Sequence, residues 1–212
     1  MKKAFAIGMI VIGVYGAYAQ RPGDSEHSPL PEGALLTKAP ETASWKITTT
    51  GQAPKSPSDI KWTVVIKNGM SFHSAIELEN GLELEEWWVN GVQVLCKKGD
   101  SALMVSRQVG EPFYMNYDET DFPDVGWLAA DSYHGMQRVN GRQCLVFKKE
   151  DRVAWIDLAT RLPMQFMENG VTRTYTFLPR PDSAIVIPPN VWKEIVAVQV
   201  LKARADRHAP RP

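Results

Sequence analysis

The chain has 212 residues, 44% of them hydrophobic, and its 24 Lys and Arg residues balance its 24 Asp and Glu residues. This length and composition predict one sizeable hydrophobic core in a single globular domain. A net charge of zero creates no long-range attraction to nucleic acid or to an anionic bilayer, so we expect no nucleic-acid partner.

The first residues have the pattern of a secretory signal peptide. Two lysines precede an uncharged run from Ala4 to Ala19, which ends in the small-x-small sequence Ala-Tyr-Ala. This run is shorter than the roughly 20 residues that a membrane-spanning helix needs. We therefore interpret residues 1–19 as a signal peptide cleaved near Ala19, and we expect a periplasmic or secreted protein.

Residues 20–40 are expected to form a flexible tether. Their sequence, QRPGDSEHSPLPEGALLTKAP, mixes Pro, Gly, Ser and charged residues without a regular apolar period. The folded domain is then predicted over residues 41–203. Residues 204–212, RADRHAPRP, are predicted to be a disordered tail.

Five Asn-Gly pairs divide the domain into short segments, and they begin at Asn68, Asn80, Asn90, Asn140 and Asn169. Asn-Gly tolerates the positive φ angles of a tight hairpin turn. Alternating apolar and polar residues beside these turns predict an antiparallel meander. Its predicted strands are IKWTVVIK, MSFHSAIEL, LELEEWWV, VQVLCKK, SALMVSR, RQCLVFK, RVAWID, LPMQFME and VTRTYTFL.

The same alternation predicts an apolar face on the sheet. Residues two apart in a strand point to the same side, and large apolar side chains recur at this spacing on several strands. Each gains roughly 1.5 to 3 kcal/mol by leaving water. This face must therefore pack on a second layer, on itself or on a ligand.

Two segments could form the layer that packs on the sheet, and the sequence allows more than one structure for each. The sequence TDFPDVGWLAADSYHG, from Thr120, predicts either a short helix or a loop. The sequence NVWKEIVAVQVLKARADR begins with Asn190, which suits a helix N-cap, and ends in basic residues, so a helix is favoured. Its many valines also suit a strand.

Cys96 and Cys144 are the two cysteines of the chain. Export would bring them to an oxidising compartment in which thiols tend to pair, so a disulfide between them is one interpretation. The other is two buried, unpaired thiols on strands, because pairing needs Cα atoms within about 7 Å.

The chain is not expected to be an enzyme. It contains neither a Gly-x-Ser-x-Gly nor a His-Glu-x-x-His sequence, and no catalytic residue, cofactor or metal ligand is predicted. The acidic run YDETDFPD lacks the central Gly and the ligand spacing of a calcium-binding EF-hand, so we expect a solvated loop there. Asp157, close to Trp155, is expected to accept hydrogen bonds from turn amides at a strand end.

Motifs in the second half of the chain resemble a known family. Tyr-His-Gly at residues 133–135 is followed by VNGRQCLVF, then by WID with TRLPMQFMENG, and then by RTYTF. This series is similar to the bacterial periplasmic lipoprotein carriers, the LolA-like or outer-membrane lipoprotein-sorting group, over roughly residues 120–189. The segment before Trp45 is short and Pro-rich, whereas the carriers usually have an amphipathic helix there.

The resemblance implies a mainly β (α+β) fold, a strongly curved antiparallel sheet that forms an unclosed half-barrel with few covering helices. It also implies an exported, non-enzymatic protein that shelters a lipid or a lipoprotein acyl chain on the concave face. The predicted ligand-contacting residues are Trp62, Phe72, Leu145, Phe147, Trp155, Met164, Phe166, Tyr175 and Phe177. The alternative is an envelope structural or interaction protein of the same fold, with a filled core, an envelope protein partner and no ligand.

Overall fold

The computed structural model describes residues 29–33, 35–36, 38–51, 56, 59–106, 120–179 and 184–208, with side chains described as far as residue 204. The predicted signal peptide, residues 1–19, lies outside the described residues. So do residues 20–28 of the predicted tether and residues 209–212 of the predicted tail.

The fold is mainly β, as predicted, and the described residues form one unclosed antiparallel sheet of 11 strands with a single α-helix. The strands are β1 (Thr42–Gly51), β2 (Ile60–Asn68), β3 (Ser71–Leu78), β4 (Glu83–Val89), β5 (Val92–Lys97), β6 (Leu103–Ser106), β7 (Tyr133–Val139), β8 (Arg142–Lys149), β9 (Arg152–Asp157), β10 (Pro163–Glu168) and β11 (Val171–Phe177). Two short 3-10 turns, Pro123–Val125 and Ala130–Ser132, precede β7.

The sheet consists of two meanders that meet at one strand pair. Its strand order is β6-β5-β4-β3-β2-β1-β11-β10-β9-β8-β7, so β1 lies between β2 and β11. Trp45 of β1 is opposite Phe177 of β11 on one side and opposite Val65 of β2 on the other. Strand β1 therefore joins the two halves of the chain into one sheet.

The Asn-Gly pairs form the turns that the sequence predicts. Each of the five pairs lies between two consecutive paired strands, and the glycine of every pair has a positive φ angle. Asn90, Asn140 and Asn169 also have positive φ angles of 52°, 48° and 50°. Both central residues of these three turns thus have the conformation of a type I′ hairpin turn.

Strands β1 and β7 are additional to the predicted strands. In β1, buried Trp45 and Ile47 alternate with Lys46 and Thr48, so a strand signal is present in its sequence. Strand β7 is a sheet edge that pairs with β8 alone and has mostly exposed side chains. An apolar alternation is therefore not required there, and the sequence pattern does not reveal the strand.

The segment that begins at Asn190 belongs to helix α1 (Pro189–His208), so the helix prediction is correct and the strand alternative is wrong. Val191, Ile195 and Val198 are buried at the spacing of one helix face. The helix includes residues 204–208, so the prediction of a disordered tail is wrong for those residues. Among the described residues, no helix combines the length and the hydropathy that crossing a bilayer requires.

The sheet has a concave and a convex face. Trp88 of β4 and Phe147 of β8 belong to one buried cluster, although β3, β2, β1, β11, β10 and β9 lie between their strands. The sheet therefore curves around this cluster, whose side is the concave face. Helix α1 packs on the convex face, where Val191 and Ile195 share a second cluster with Trp87 and Val94.

Candidate functional site

An apolar cluster with several aromatic residues fills the concave face, and we call it the concave cluster. Its buried members are Ala39, Ala43, Trp45, Ile47, Val65, Phe72, Trp88, Phe122, Val125, Leu145, Phe147, Ala154, Ile156, Phe166 and Tyr175. Cross-strand register builds it in rows, one of which runs from Phe166 through Ala154 to Phe147. Each row places side chains of one parity on the same face.

The structure brings most of the predicted ligand-contacting residues together. Phe72, Leu145, Phe147, Phe166 and Tyr175 are members of the concave cluster, and partly buried Phe177 packs against it. These six residues come from four strands, one each from β3 and β10 and two each from β8 and β11. They remain predicted ligand contacts, since their placement does not test binding.

The prediction of one shared face is wrong for Trp62 and Trp155. In β2 the residues on the concave side are Thr63, Val65 and Lys67, so Trp62 has the opposite parity and lies on the convex face. There its indole N–H donates to Glu77 over 2.7 Å. In both tryptophans the indole N–H forms a hydrogen bond on the convex side of the sheet. Alternation alone does not distinguish this position from one in the core.

Trp155 and Met164 are also outside the concave cluster, for two different reasons. Trp155 alternates with the buried Ala154 and Ile156, and its indole N–H donates to Gln137 over 2.9 Å on the convex side. Met164 lies at a register shift between Pro163 and Gln165 and is not a member of the concave cluster. A bulge of this kind interrupts alternation within a strand.

Two irregular segments cover the concave cluster. The first is residues 30–39 as far as described, in which Ala39 is buried and Leu30, Leu35 and Leu36 pack against the cluster. The prediction of a flexible tether is therefore wrong for this part of residues 20–40. The second is residues 120–132, and we call the two together the covering segments. The described residues of both segments form coil and short 3-10 turns, without an α-helix.

Phe122 anchors the second covering segment in the concave cluster. Its ring centroid lies 5.4 Å from that of Trp45, 6.2 Å from that of Tyr175 and 5.9 Å from that of Phe177. Phe122 is 1% exposed. The segment is thus attached to the junction of β1 and β11 by aromatic packing.

A buried ion pair fastens both covering segments to the sheet. The Lys67 ammonium lies 2.7 Å from an Asp121 carboxylate oxygen, and the two side chains are 7% and 10% exposed. Lys67 also donates to the Ala39 carbonyl over 3.0 Å, while the Ala39 N–H donates to Asp121 over 2.8 Å. Sheet, first segment and second segment therefore meet at one polar site.

A second acid of the same segment contacts the other half of the sheet. Arg173 forms an ion pair with Asp124, and the Tyr175 hydroxyl donates to the same carboxylate over 2.6 Å. Asp121 and Asp124 thus have protein partners, and the predicted solvated loop is wrong at these positions. Residues 117–119 of the acidic run lie outside the described residues.

Polar side chains interrupt the concave face near β4. Glu86 and Gln93 are 1% and 2% exposed, and the Gln93 amide donates to the Glu86 carboxylate. Beyond them lies a smaller apolar group that contains Ile76, Leu84 and Leu95. Glu86, Lys67 and Asp121 are site residues that the sequence interpretation missed. Charged residues are seldom buried unless they are paired, so a sequence pattern places them on the surface.

Cys96 and Cys144 are both free and buried, so the predicted disulfide is not formed in this structure. Cys96 belongs to the convex cluster beneath α1, whereas Cys144 lies on β8 near the other edge of the sheet. Burial raises the pKa of both thiols. The alternative of two buried, unpaired thiols on strands describes them correctly.

Asp157 closes the turn between β9 and β10, as predicted. Its carboxylate accepts the N–H groups of Ala159 and Thr160 over 2.8 and 2.9 Å, and Arg142 lies 3.2 Å away. Burial alone would raise the pKa of Asp157, but the two amides and Arg142 outweigh it and hold this pKa below its ordinary value. The carboxylate therefore stabilises the turn between β9 and β10.

Asp157→Ala should lower the free energy of unfolding by about 1 to 2 kcal/mol at pH 7, because two turn amides lose a charged acceptor. Since folding depresses the pKa of Asp157, its contribution is present above the unfolded value of about 4 and declines as pH falls through the folded value. Urea unfolding from pH 7 to pH 3 should show the difference from the native protein shrinking below about pH 4. A pH-independent difference would contradict this role, and Asp151→Ala at an exposed turn provides the control.

The structure has a distant similarity to a solved lipoprotein structure. It is similar to the crystal structure of the Mycobacterium tuberculosis lipoprotein LppX, with a TM-score of 0.43 and 7% sequence identity, over 69% of this chain and 90% of that chain. No family model matches the sequence, and no curated protein matches it. The functional proposals below therefore rest on the residues of this chain.

Proposed function

We propose that this protein is an exported, non-enzymatic carrier that shelters a hydrophobic ligand, a lipid or a lipoprotein acyl chain, on the concave face of its sheet. The observation that carries the proposal is the cover of that face. An aromatic-rich wall is closed by coil and short 3-10 turns, the covering segments, while the regular helix packs on the opposite face.

The proposed site comprises the predicted residues that lie together on the concave face. Phe147, Phe166 and Tyr175 would contact the ligand, with Phe72, Leu145 and Phe177 around them. Transfer of apolar surface out of water contributes about 0.8 kcal/mol for each buried methylene, so a long acyl chain gains affinity without any specific polar contact. The binding step is non-covalent and uses no cofactor.

The covering segments would act as the lid of this site. Ligand entry would displace apolar side chains such as Phe122 and Leu36, and the ligand would then occupy their place against Trp45 and its neighbours. The Lys67–Asp121 ion pair opposes this displacement, because opening would separate two buried charges. Closing restores it, so the ion pair sets how readily the lid opens.

A second function has one observation in its favour. The described members of the concave cluster are 8% exposed or less, which is the condition of a filled core. This favours the alternative of an envelope interaction protein of the same fold, which binds a protein partner and holds no ligand. Binding of an acyl probe distinguishes the two functions.

The test is the affinity of a fluorescent fatty-acid probe for the predicted mature form, residues 20–212. The native protein should bind the probe, and Phe166→Leu should change the affinity by roughly 1 kcal/mol, about fivefold, while the circular-dichroism spectrum is preserved. Trp155→Phe is the matched control, because Trp155 lies on the convex side of the neighbouring strand, and it should leave the affinity unchanged.

Two outcomes would count against the carrier. Failure of the native protein to bind any acyl probe would defeat it and leave the interaction protein. Equal effects of Phe166→Leu and Trp155→Phe would place the probe outside the concave face.

A further inference from the structure

Helix α1 has an apolar face that the described residues cover only in part. Its buried face packs against β5, yet four large apolar side chains on its other side remain open to solvent. We call them the outer face of α1, and they are Trp192, Val196, Val200 and Leu201, which are 46%, 38%, 43% and 54% exposed. Trp192, Val196 and Val200 follow one another at i, i+4 and i+8 and form a continuous row about 12 Å long.

The residue types of this row do not stabilise the helix itself. Valine and tryptophan are poorer helix formers than Lys, Glu, Gln or Ala, which occupy exposed helix positions at no cost in apolar exposure. Val196 and Val200 thus weaken the helix slightly and also expose apolar surface. A contiguous apolar row on a surface indicates a contact with something outside the folded chain.

Positive charge accompanies the row. Lys193 and Arg204 are exposed, and half-buried Lys202 donates to the Gly91 carbonyl at the β4–β5 turn. Glu194 is the only acid among the described side chains of α1, and it is half-buried. The exposed side of the helix therefore combines apolar side chains with cations and presents no fully exposed carboxylate within the described residues.

This combination identifies the occupant. A second copy of the chain would face the same helix in a two-fold interface, which would bring the cations of both copies together. A helix that lies in a membrane interface instead needs an apolar row, cations beside it for anionic headgroups, and an aromatic residue that suits the interface. Trp192, Val196 and Val200 with Lys193 and Arg204 provide these features.

We propose that the outer face of α1 docks the protein on the surface of an anionic lipid bilayer. The net charge provides no long-range attraction, since it is zero for the whole sequence and −2 for residues 20–212, which lack Lys2 and Lys3. The cations therefore act only within the Debye length of about 10 Å at 0.1 M salt, once the helix is near the surface. The apolar row then enters the boundary between headgroups and acyl chains. This docking does not depend on whether the concave face holds a ligand.

The experiment is co-sedimentation of residues 20–212, which include every described residue, with sucrose-loaded vesicles. Vesicles of phosphatidylcholine with 30% phosphatidylglycerol should retain the protein, and vesicles of phosphatidylcholine alone should retain much less. Val196→Ser/Val200→Ser should reduce partitioning about tenfold, because two apolar side chains are lost from the contact. Lys193→Gln/Arg204→Gln should reduce it by a similar factor on anionic vesicles only.

Met70→Ser is the matched control, since Met70 is 77% exposed in the β2–β3 turn and belongs to neither cluster. It should leave partitioning unchanged, and all substituted positions are exposed, so circular dichroism should be preserved. Absence of binding to anionic vesicles would overturn the proposal and point to an acidic protein surface as the partner. Equal binding to both vesicle types, or no loss in Val196→Ser/Val200→Ser, would overturn it as well.

Discussion

Lys67→Met should lower the free energy of unfolding by about 3 to 5 kcal/mol, because it leaves the Asp121 carboxylate buried without its countercharge. The side chains of this ion pair are 7% and 10% exposed, so water does not replace the lost ammonium group. The Ala39 carbonyl also loses a donor. Urea unfolding at neutral pH measures the effect.

Two further variants separate the buried ion pair from lysine replacement in general. Lys61→Met removes an ion pair with Glu77 in which the lysine is 51% exposed, so it should cost far less stability than Lys67→Met. Lys67→Met/Asp121→Asn removes both charges and should recover part of the stability lost in the single variant. A cost for Lys67→Met as small as that for Lys61→Met would contradict the role of the buried pair.

Phe122→Ala should also lower the free energy of unfolding by about 3 to 5 kcal/mol. The ring is enclosed by Trp45, Tyr175 and Phe177, which are fixed in the sheet, so the site cannot collapse around a smaller side chain. Because Phe122 anchors a covering segment, the variant should in addition admit the acyl probe more rapidly than the native protein.

The control for Phe122→Ala is Met70→Ala, which removes an apolar side chain that is 77% exposed and should change the free energy of unfolding by less than about 0.5 kcal/mol. A loss of stability without faster probe uptake would show that Phe122 belongs to the core and that the second segment is not a lid. A negligible loss of stability would contradict the packing itself.

The hairpins of this fold are predictable because their signals are local. An Asn-Gly pair fixes the turn between two strands through the backbone angles of its own two residues, as at Asn140 and Gly141. Alternation in RQCLVFK then places Leu145 and Phe147 on one face of β8, whereas in RVAWID it assigned Trp155 to that face, which Ala154 occupies. The sequence therefore predicts a meander of short antiparallel strands correctly.

The joining of the two meanders depends on information that is not local. Strand β1 pairs with β11, more than a hundred residues away along the chain, and no turn signal connects them. The period-2 pattern around Trp45 is visible in the sequence. The Pro-rich residues before it, however, led to the prediction of a flexible tether. Leu30, Leu35 and Leu36 pack on the cluster without regular structure, which periodicity cannot reveal.

The candidate site was predicted in part for the same reasons. Phe147, Phe166 and Tyr175 follow from alternation within regular strands, whereas Trp62 and Trp155 have an alternating pattern that fits either face. Lys67 has the parity of Lys61 and Thr63 in IKWTVVIK, so alternation places it on the polar face and gives no signal of its burial. A buried lysine requires a partner, and its identity becomes clear only in the folded chain.

Native mass spectrometry of the protein, purified from its source under mild conditions, is the most direct test of the proposed carrier function. We predict a mass that exceeds that of the mature polypeptide by a bound lipid or acyl chain and that returns to the polypeptide mass on denaturation. Recovery of the polypeptide mass alone, from a protein that also fails to bind acyl probes, would contradict the carrier and favour a filled-core interaction protein.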